Sequence, residues 1–302
     1  MIGRLLLRIL RSQYGWARPF GDFNVRWLRA VFGAMPPVAD LLHGKWLGHS
    51  VHAVITDLPL GALSLTVLFD FLNQRQAADI SMVVGVLGMV AAAVAGLADY
   101  SDTDDDARTA ATVHGTLMVL SLLVYLVSLW LRLTAPVDAD RTVAIVTQLI
   151  AYSIMLAGAY VGGELVYTLG NMVNRHAWRF GTKSEWIKLD VTDLPENKPT
   201  PAKAGAQQLV VVRSGDTVYA LHAQCAHAGG PLPSGKLVDG CIECPWHGSR
   251  FDLATGRRTR GPSTFDQPRY QVRAADGGGW EVKRVLDPAG QNIASAAAPR
   301  ST

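Results

Sequence analysis

Apolar residues dominate four long stretches in the first half of the chain. They cover about 53–72, 80–98, 111–131 and 142–163, and the last three carry no Asp, Glu, Lys or Arg. Each approaches or exceeds the roughly 20 residues that a helix needs to cross the hydrocarbon core of a bilayer. Asp57 and Asp70 lie near the ends of the first stretch, and Pro59 falls in its first turns, where proline is tolerated. The pattern predicts a four-helix transmembrane domain at 46–168.

The pattern changes beyond 184, where short runs rich in β-branched and aromatic residues replace the long apolar segments. Turn-forming sequences separate these runs: Ser214-Gly215-Asp216, Asp239-Gly240, Ala254-Thr255-Gly256 and Asp276-Gly277-Gly278. Such runs predict antiparallel β-structure. The sequence therefore predicts a multi-domain protein: an N-terminal all-α four-helix transmembrane bundle, a linker at 169–183, an all-β domain at 184–286 and a loose tail at 287–302.

Residues 1–45 form a basic segment before the first span. Its opening, MIGRLLLRILRSQYGWARPF, has no acidic residue, and Arg4, Arg8 and Arg11 follow a helical spacing. These arginines interrupt the apolar run, which is atypical of a signal peptide. Three interpretations stay open: a helix lying on an anionic membrane surface, a solvated basic tail, and an organelle presequence.

Composition agrees with a chain that is part membrane and part soluble. Charged residues are 18% of the total, against roughly 25% in soluble domains, and mean hydropathy is +0.17. The net charge of +3 is small, and the soluble half has no basic patch interleaved with aromatic residues, so no nucleic-acid partner is expected.

The distribution of basic residues predicts the orientation. With four spans, both termini lie on one side of the membrane. That side carries Arg4, Arg8, Arg11, Arg18, Arg26, Arg29, Lys45, Arg175, Arg179 and Lys183. The other side has Arg75 and Arg141, with Arg132 at a span edge. Basic residues collect on the cytoplasmic side, so we expect both termini and the β domain in the cytoplasm, at a bacterial inner membrane.

All three cysteines cluster with two of the eight histidines. Cys225-Ala226-His227 is followed, after sixteen residues, by Cys244-Pro245-Trp246-His247. This C-x-H…C-x-x-H pattern resembles the Rieske [2Fe–2S] family. The likeness extends to CAHAGGPL and CPWHGSRFDLATG, which are similar to the two cluster loops of that family, and to Gly261-Pro262, which is similar to its third, proline-bearing loop.

The resemblance implies a [2Fe–2S] cluster with two ligands on each iron. Cys225 and Cys244 would bind one iron, and His227 and His247 the other. Gly248, Ser249, Phe251 and Pro262 would surround the cluster. The implied function is one-electron transfer between a reductase or membrane carrier and an acceptor, with a redox protein or a quinone as partner and no catalytic residue in this chain.

Two departures bear on the reduction potential. Rieske proteins of quinol-oxidising complexes carry two further cysteines where this chain has Gly230 and Trp246, and a tyrosine where it has Phe251. Fewer hydrogen-bond donors stabilise the reduced cluster less, so we expect a potential at the lower end of the roughly −150 to +300 mV Rieske range. Only about fifty residues follow the second loop, too few for a mononuclear iron domain.

Zinc is the main alternative. Cys225, His227, Cys241, Cys244 and His247 include enough donors for a four-coordinate site, although zinc does not require the surrounding sequence. With an iron–sulfur cluster in place, Cys241 is expected to be a small buried strand residue. His222 is expected at the surface and His176 in the linker.

The membrane half resembles a second family. HSVHAVITDLPLGAL and GAYVGGELVY are similar to a four-helix membrane family of unknown function (DUF2231-like), which is sometimes fused to Rieske domains. His49 and His52 are expected on one helix face, at the same membrane depth as His114 and Glu164.

Three interpretations of these membrane residues stay open. In the first, His52 and His114 hold a b-type haem. In the second, histidine and Glu164 handle protons at a quinone site. In the third, the groups form a structural polar network. Under the first two, the chain would be a subunit of a haem- or quinone-linked membrane oxidoreductase.

Overall fold

The structure is a computed structural model that describes residues 8–136, 138–177 and 184–285. It divides into two compact units, one of Met1–Leu42 and Ser50–Asn171, the other of His43–His49 and Met172–Thr302. Several sequence predictions lie outside the described residues: those for Arg4, Arg179, Lys183, the end of the linker and the tail at 287–302.

The first unit is helical. Its helices are α1 (Tyr14–Ala34), α2 (Pro36–His43), α3 (Val51–Ile55), α4 (Asp57–Phe71), α5 (Arg75–Ser101), α6 (Asp105–Thr134) and α7 (Thr142–Gly163), and a π-helical turn at Glu164–Thr168 follows. Four helical segments are long and apolar enough to cross a membrane: Val51–Phe71, Arg75–Ser101, Asp105–Thr134 and Thr142–Thr168. The prediction of four long apolar helices is confirmed. The second and third are longer than their apolar stretches because charged residues continue the helices at their ends.

The first span begins at a capped helix end. Ser50 is the N-cap of α3, and its Oγ accepts a hydrogen bond from the Ala53 N–H at 3.3 Å. His49 therefore precedes the helix, and the prediction that it shares a helix face with His52 is wrong. The boundary between α3 and α4 falls at Thr56, where Pro59 has no N–H to donate to the carbonyl of Ile55.

Small and apolar side chains pack the bundle. One buried cluster comprises Leu63, Met82, Val86, Met89, Tyr125, Ala151 and Met155. Many large apolar side chains, such as Leu87, Trp130 and Val143, instead point outward and are well exposed. A soluble domain rarely exposes so much contiguous apolar surface, whereas a bundle in lipid does so on every side.

One buried charge network lies inside this bundle. The guanidinium of Arg132 donates to Asp70 at 2.5 and 3.0 Å and to Asp79 at 3.2 Å, and it also donates to Gln148 Oε1. The Arg132 side chain is 0% exposed. Sequence reasoning placed Arg132 at a span edge and did not foresee its partners, which come from three other helices.

The second unit is a β domain. Its strands are β1 (Ile187–Lys188), β2 (Thr200–Ala204), β3 (Gln207–Ser214), β4 (Thr217–His222), β5 (Lys236–Val238), β6 (Cys241–Glu243), β7 (Arg250–Asp252), β8 (Arg258–Arg260), β9 (Arg269–Ala274) and β10 (Trp280–Arg284). They form a six-stranded sheet, in the order β1-β10-β9-β4-β3-β2, and a four-stranded sheet, β5-β6-β7-β8. The named pairings are antiparallel, which confirms the predicted fold class.

Strand β3 contributes side chains to both hydrophobic clusters of this domain. Its run Leu209–Val212 is buried throughout, and alternate side chains serve different clusters. Val210 and Val212 join the cluster that contains Cys225, Cys244 and Phe251. Leu209 and Val211 join the other, with Leu189 and Tyr270. Because successive strand residues point to opposite faces, this continuous apolar run covers both faces of the sheet.

A two-residue hairpin joins β5 to β6 and sets the register before the second cysteine loop. Val238 pairs with Cys241 across Asp239 and Gly240, whose φ angles are 50° and 74°. Such turns require positive φ at both central residues, which explains the Asp-Gly sequence. Cys241 is buried on β6, as predicted.

Candidate metal centre

Two six-residue loops of the β domain share one backbone construction. In the first, the Cys225 N–H donates to the Gly230 carbonyl at 2.8 Å, and the Gly229 N–H donates to the Cys225 carbonyl at 2.9 Å. In the second, the Cys244 N–H donates to the Ser249 carbonyl at 2.8 Å, and the Gly248 N–H donates to the Cys244 carbonyl at 3.1 Å. Each loop thus begins at a cysteine and closes on itself.

Glycine at the fifth position of each loop makes this closure possible. Gly229 has φ +83° and Gly248 has φ +76°, a left-handed conformation that other residues rarely adopt. This explains the role of Gly248, which the resemblance placed beside the cluster. The histidines occupy the third position of the first loop, His227, and the fourth of the second, His247.

The two loops bring like donors together. Cys225 and Cys244 are 1% and 3% exposed, and both belong to one buried cluster. The rings of His227 and His247 lie with centroids 5.1 Å apart, nearly perpendicular to each other. His227 is buried and His247 half-buried, while the neighbouring Trp246 is 53% exposed. The two loops therefore bring together one pair of thiols and one pair of imidazoles. The imidazole pair lies nearer the surface.

Backbone N–H groups prepare the second thiol for metal binding. The hydrogen bond with the Cys225 thiol, followed by the N–H groups of Trp246 and His247, lowers the pKa of Cys244 to about 6. The hydrogen bond with Cys244 and burial raise the pKa of Cys225, while the N–H groups of His227 and Ala228 oppose them. The N–H donors in both loops favour thiolate, the form that binds metal.

The third loop and the strand after the second loop complete the surroundings. Ser249 is fully buried, and its Oγ accepts a hydrogen bond from the Ser263 N–H at 3.0 Å. Ser263 follows the cis peptide between Gly261 and Pro262, so this bond ties the proline-bearing loop to the second cysteine loop. Phe251 is fully buried in the same cluster as both cysteines.

Gln267 is a structural support that sequence reasoning missed. Its Oε1 accepts from the Ala226 N–H at 3.0 Å, and its Nε2 donates to the carbonyls of His222 at 2.7 Å and Gln224 at 2.5 Å. It thus braces the first loop from within. No local motif marks a glutamine 41 residues away as a brace, since its role follows from the folded chain.

The prediction for His222 is wrong, because its side chain is 6% exposed rather than on the surface. His176, which was expected in the linker, is 1% exposed. Their rings pack edge to face with centroids 4.6 Å apart, and His176 Nε2 is 2.9 Å from the Gln224 carbonyl. Both rings therefore pack beside the first loop, where they hydrogen-bond to backbone groups that the loop itself does not pair.

The packing of Gly230 against Trp246 explains why this chain has no room for the two further cysteines of quinol-oxidising Rieske proteins. A Cβ added at Gly230 would lie 2.8 Å from Cys244 Sγ and 3.1 Å from the Trp246 ring. The indole occupies the space beside the bare glycine, where the resemblance would otherwise place a bridge between loops. A side chain at 230 would displace either the ring or a ligand sulfur.

The donor set fits a diiron cluster better than zinc. A structural zinc site takes four ligands at one ion, whereas a [2Fe–2S] cluster takes two protein ligands at each of two irons. The paired thiols and the paired imidazoles match that requirement.

Comparison with known proteins agrees with this chemistry. The Rieske [2Fe-2S] domain family matches residues 184–271. The anthranilate 1,2-dioxygenase ferredoxin subunit of Burkholderia cepacia is 36% identical over 97 residues, which is 32% of this chain and 90% of that protein. The chain belongs to the Rieske [2Fe-2S] family. Its β unit is a Rieske electron-transfer domain, and the family implies a [2Fe–2S] cluster.

Other relatives show how much of the Rieske protein is shared. Ferredoxin CarAc of Metapseudomonas resinovorans is 36% identical over 75 residues, 25% of this chain and 70% of that protein. Apoptosis-inducing factor 3 of Homo sapiens is 31% identical over 83 residues, but the match spans 14% of its length. Among solved structures, the ferredoxin of carbazole 1,9a-dioxygenase from Nocardioides aromaticivorans is 31% identical, with 35% of this chain and 100% of that chain covered and a TM-score of 0.29.

The helical unit has a separate match. The family described as "Predicted membrane protein (DUF2231)" matches residues 48–175. The Rieske protein therefore joins a membrane domain to an electron-transfer domain, in the predicted order. Neither family match assigns haem to the bundle, so the predicted haem has no support from them.

The structure brings two of the four membrane residues singled out by sequence together. His52 and His114 lie close together, with ring centroids 6.1 Å apart. His49 is exposed and precedes α3. Glu164 begins the π-helical turn, and its Oε2 is buried without a hydrogen-bond partner in the described part of the chain.

Ser249 offers a test of how the surroundings tune the cluster. Its Oγ accepts from Ser263, so its own proton remains available for donation toward sulfur. Such a donor stabilises the more negative, reduced cluster. We expect Ser249→Ala to lower the midpoint potential on the order of 60 mV, the one-electron equivalent of about 1.4 kcal/mol. Redox titration of protein with unchanged cluster content measures this.

The control for this measurement is Ser214→Ala, which changes an exposed serine at the end of β3. Its midpoint potential should equal that of the unmodified protein. A Ser249→Ala potential that is unchanged or higher would show that the hydroxyl does not donate to the cluster.

Proposed function

We propose that this chain is a membrane-anchored one-electron carrier. In it, Cys225 and Cys244 hold one iron of the cluster, and His227 and His247 hold the other. The observation that carries the proposal is the pair of matched loops, which places two thiols in one buried cluster and sets the centroids of two imidazoles 5.1 Å apart. When bound, the cluster supplies reversible uptake of a single electron.

The chain's own residues have distinct roles in this proposal. Backbone N–H groups of both loops donate to the ligand sulfurs and stabilise their negative charge. Gln267 and the Ser249–Ser263 bond hold the loops in place, which limits reorganisation as charge changes. His247 and exposed Trp246 form the side at which a partner would approach, since electron transfer requires a short distance to the cluster.

Anchoring is proposed for the four spans and for α1. One face of α1 is buried through Ala17, Gly21, Val25 and Leu28. The outward face carries exposed aromatic side chains at helical spacing: Trp16, Phe20, Phe23 and Trp27. Aromatic side chains of this kind collect where a membrane meets water, so α1 is suited to lie at the interface.

The partner is proposed by analogy of chemistry. Two of the relatives are named as ferredoxin components of oxygenase systems, so a soluble or peripheral redox protein is the expected partner. The alternative is a subunit of a haem- or quinone-linked membrane oxidoreductase, in which the bundle takes part in electron transfer.

Sealed vesicles test the orientation and the function together. The excess of basic residues around the termini supports a cytoplasmic position for the cluster. Dithionite, which crosses membranes poorly, should therefore give the EPR signal of a reduced Rieske cluster in inverted vesicles and, in right-side-out vesicles, only after detergent is added. Reduction in intact right-side-out vesicles would overturn the orientation, and absence of a Rieske signal after detergent would overturn the function.

A further inference from the structure

Two histidines of the membrane bundle are held by the same device. His52 Nδ1 lies 2.8 Å from the Ala92 carbonyl oxygen on α5. His114 Nδ1 lies 2.8 Å from the Gly158 carbonyl oxygen on α7. In both cases a histidine of one candidate span bonds to the backbone of the next span in the chain.

Glycine makes room for each ring. Four residues beyond each acceptor carbonyl the chain has glycine, Gly96 in α5 and Gly162 in α7. A Cβ at Gly96 would lie 2.9 Å from His52 Nδ1, and one at Gly162 would lie 3.1 Å from His114 Cε1. The repeated arrangement of histidine, carbonyl and glycine indicates that both ring positions are built into the fold.

These hydrogen bonds determine where the protons lie. A carbonyl oxygen only accepts, so each imidazole carries its proton on Nδ1 and presents a bare lone pair at Nε2. Among the described residues, the two rings make these hydrogen bonds at Nδ1 and none at Nε2. Metal-ligating histidines show this arrangement, with one ring nitrogen donating to a backbone carbonyl and the other on the metal.

The spacing of the rings suits one shared ion. Their centroids are 6.1 Å apart with an interplanar angle of 82°. Imidazole nitrogen binds first-row metals at about 2.0–2.1 Å, so two imidazoles on opposite sides of one ion have centroids roughly 6 Å apart.

We propose that Nε2 of His52 and Nε2 of His114 bind one transition-metal ion of the kind that imidazole favours, such as iron, copper or zinc. The ion could arrive bare or as the iron of a haem, and the coordination chemistry at the two nitrogens is the same. The site is separate from the cluster ligands, so it does not depend on the Rieske assignment.

Metal analysis of the full chain tests this site. The protein is purified in detergent from cells supplied with iron, copper, zinc and a haem precursor. We expect one ion per chain beyond the two cluster irons. A haem absorption spectrum that accounts for that ion would identify haem iron, and its absence would identify a bare ion. His52→Ala and His114→Ala should each lose the ion.

Glycine variants separate the site from a fold defect, since they leave both histidines in place. Gly96→Ala would push the His52 ring off its carbonyl, and we expect about ten- to hundredfold weaker binding of the ion. Gly61→Ala is the matched control because a Cβ there meets nothing within 4 Å. His49→Ala is the histidine control. Both controls should bind as the unmodified protein does.

A cluster-free variant keeps this proposal separable from the Rieske function. Cys244→Ser protein should retain the extra ion while it lacks the cluster signal. Unmodified protein that holds only cluster iron, with no haem and no other metal after loading, would overturn the site. Equal binding by Gly96→Ala and Gly61→Ala would also overturn it.

Discussion

Replacing Cys244 with serine is expected to abolish the [2Fe–2S] cluster. The thiol is 3% exposed, lies against Cys225 and receives backbone N–H groups that favour its thiolate. A serine hydroxyl remains protonated at neutral pH and is a harder donor than sulfur. Without the second thiolate one iron keeps only Cys225, and two matched loops no longer close on the cluster. Iron, acid-labile sulfide and the EPR signal of the reduced protein should fall together to background.

Cys241→Ser is the matched control. Cys241 is also buried, but its Sγ contacts the Asp239 carbonyl at 3.7 Å and Thr259 Oγ1 at 3.4 Å rather than a loop cysteine. This variant should keep two irons and two sulfides per chain. If Cys241→Ser lost the cluster and Cys244→Ser kept it, the ligand set would be wrong. Equal loss in both would indicate a folding defect rather than lost coordination.

Local patterns predicted the β domain and the position of its site. C-x-H and C-x-x-H each occur within a single loop that has glycine at its fifth position, so the spacing along the chain carries the chemistry. The Asp239-Gly240 turn is also local, because positive φ at both positions is a property of two residues. Features of this kind can be read before any tertiary contact is known.

Contacts between distant segments could not be predicted in this way. Gln267 braces the first loop from 41 residues away, and His176 lies 2.9 Å from the carbonyl of Gln224, 48 residues away. Residue type does not mark these side chains as buried, because glutamine is mostly exposed in proteins and histidine is intermediate. Their burial follows from backbone groups that only the folded loops leave to be satisfied.

The membrane half shows the same division. Apolar length predicted four spans, because crossing a bilayer is a property of each segment alone. The pairing of His52 with His114 was expected from depth, and the structure brings these two rings together. His49 is not part of this pair because the helix begins only after its N-cap, Ser50, which is the residue that follows His49.

Removing Arg132 is expected to destabilise the bundle more than any other single charge change considered. Its guanidinium is 0% exposed and holds Asp70, which is 6% exposed, and Asp79. In Arg132→Met, Asp70 would be left as a buried carboxylate without its cation. Breaking a buried pair in this way typically costs about 3–5 kcal/mol. We expect a clearly lower thermal midpoint of the full chain in detergent, measured by loss of the monodisperse peak on heating.

A second substitution separates charge from packing. In Arg132→Met with Asp70→Asn, the stranded charge is gone, while Asp79 keeps Arg141 at 2.8 and 2.9 Å. The double variant should therefore recover part of the lost stability, as coupled neighbours do. Arg18→Met is the surface control, because its partner Asp105 is 4.0 Å away and both side chains are exposed. Equal midpoints for Arg132→Met and Arg18→Met would show that the buried network does not stabilise the bundle, and a double variant no better than Arg132→Met would assign the loss to packing instead of charge.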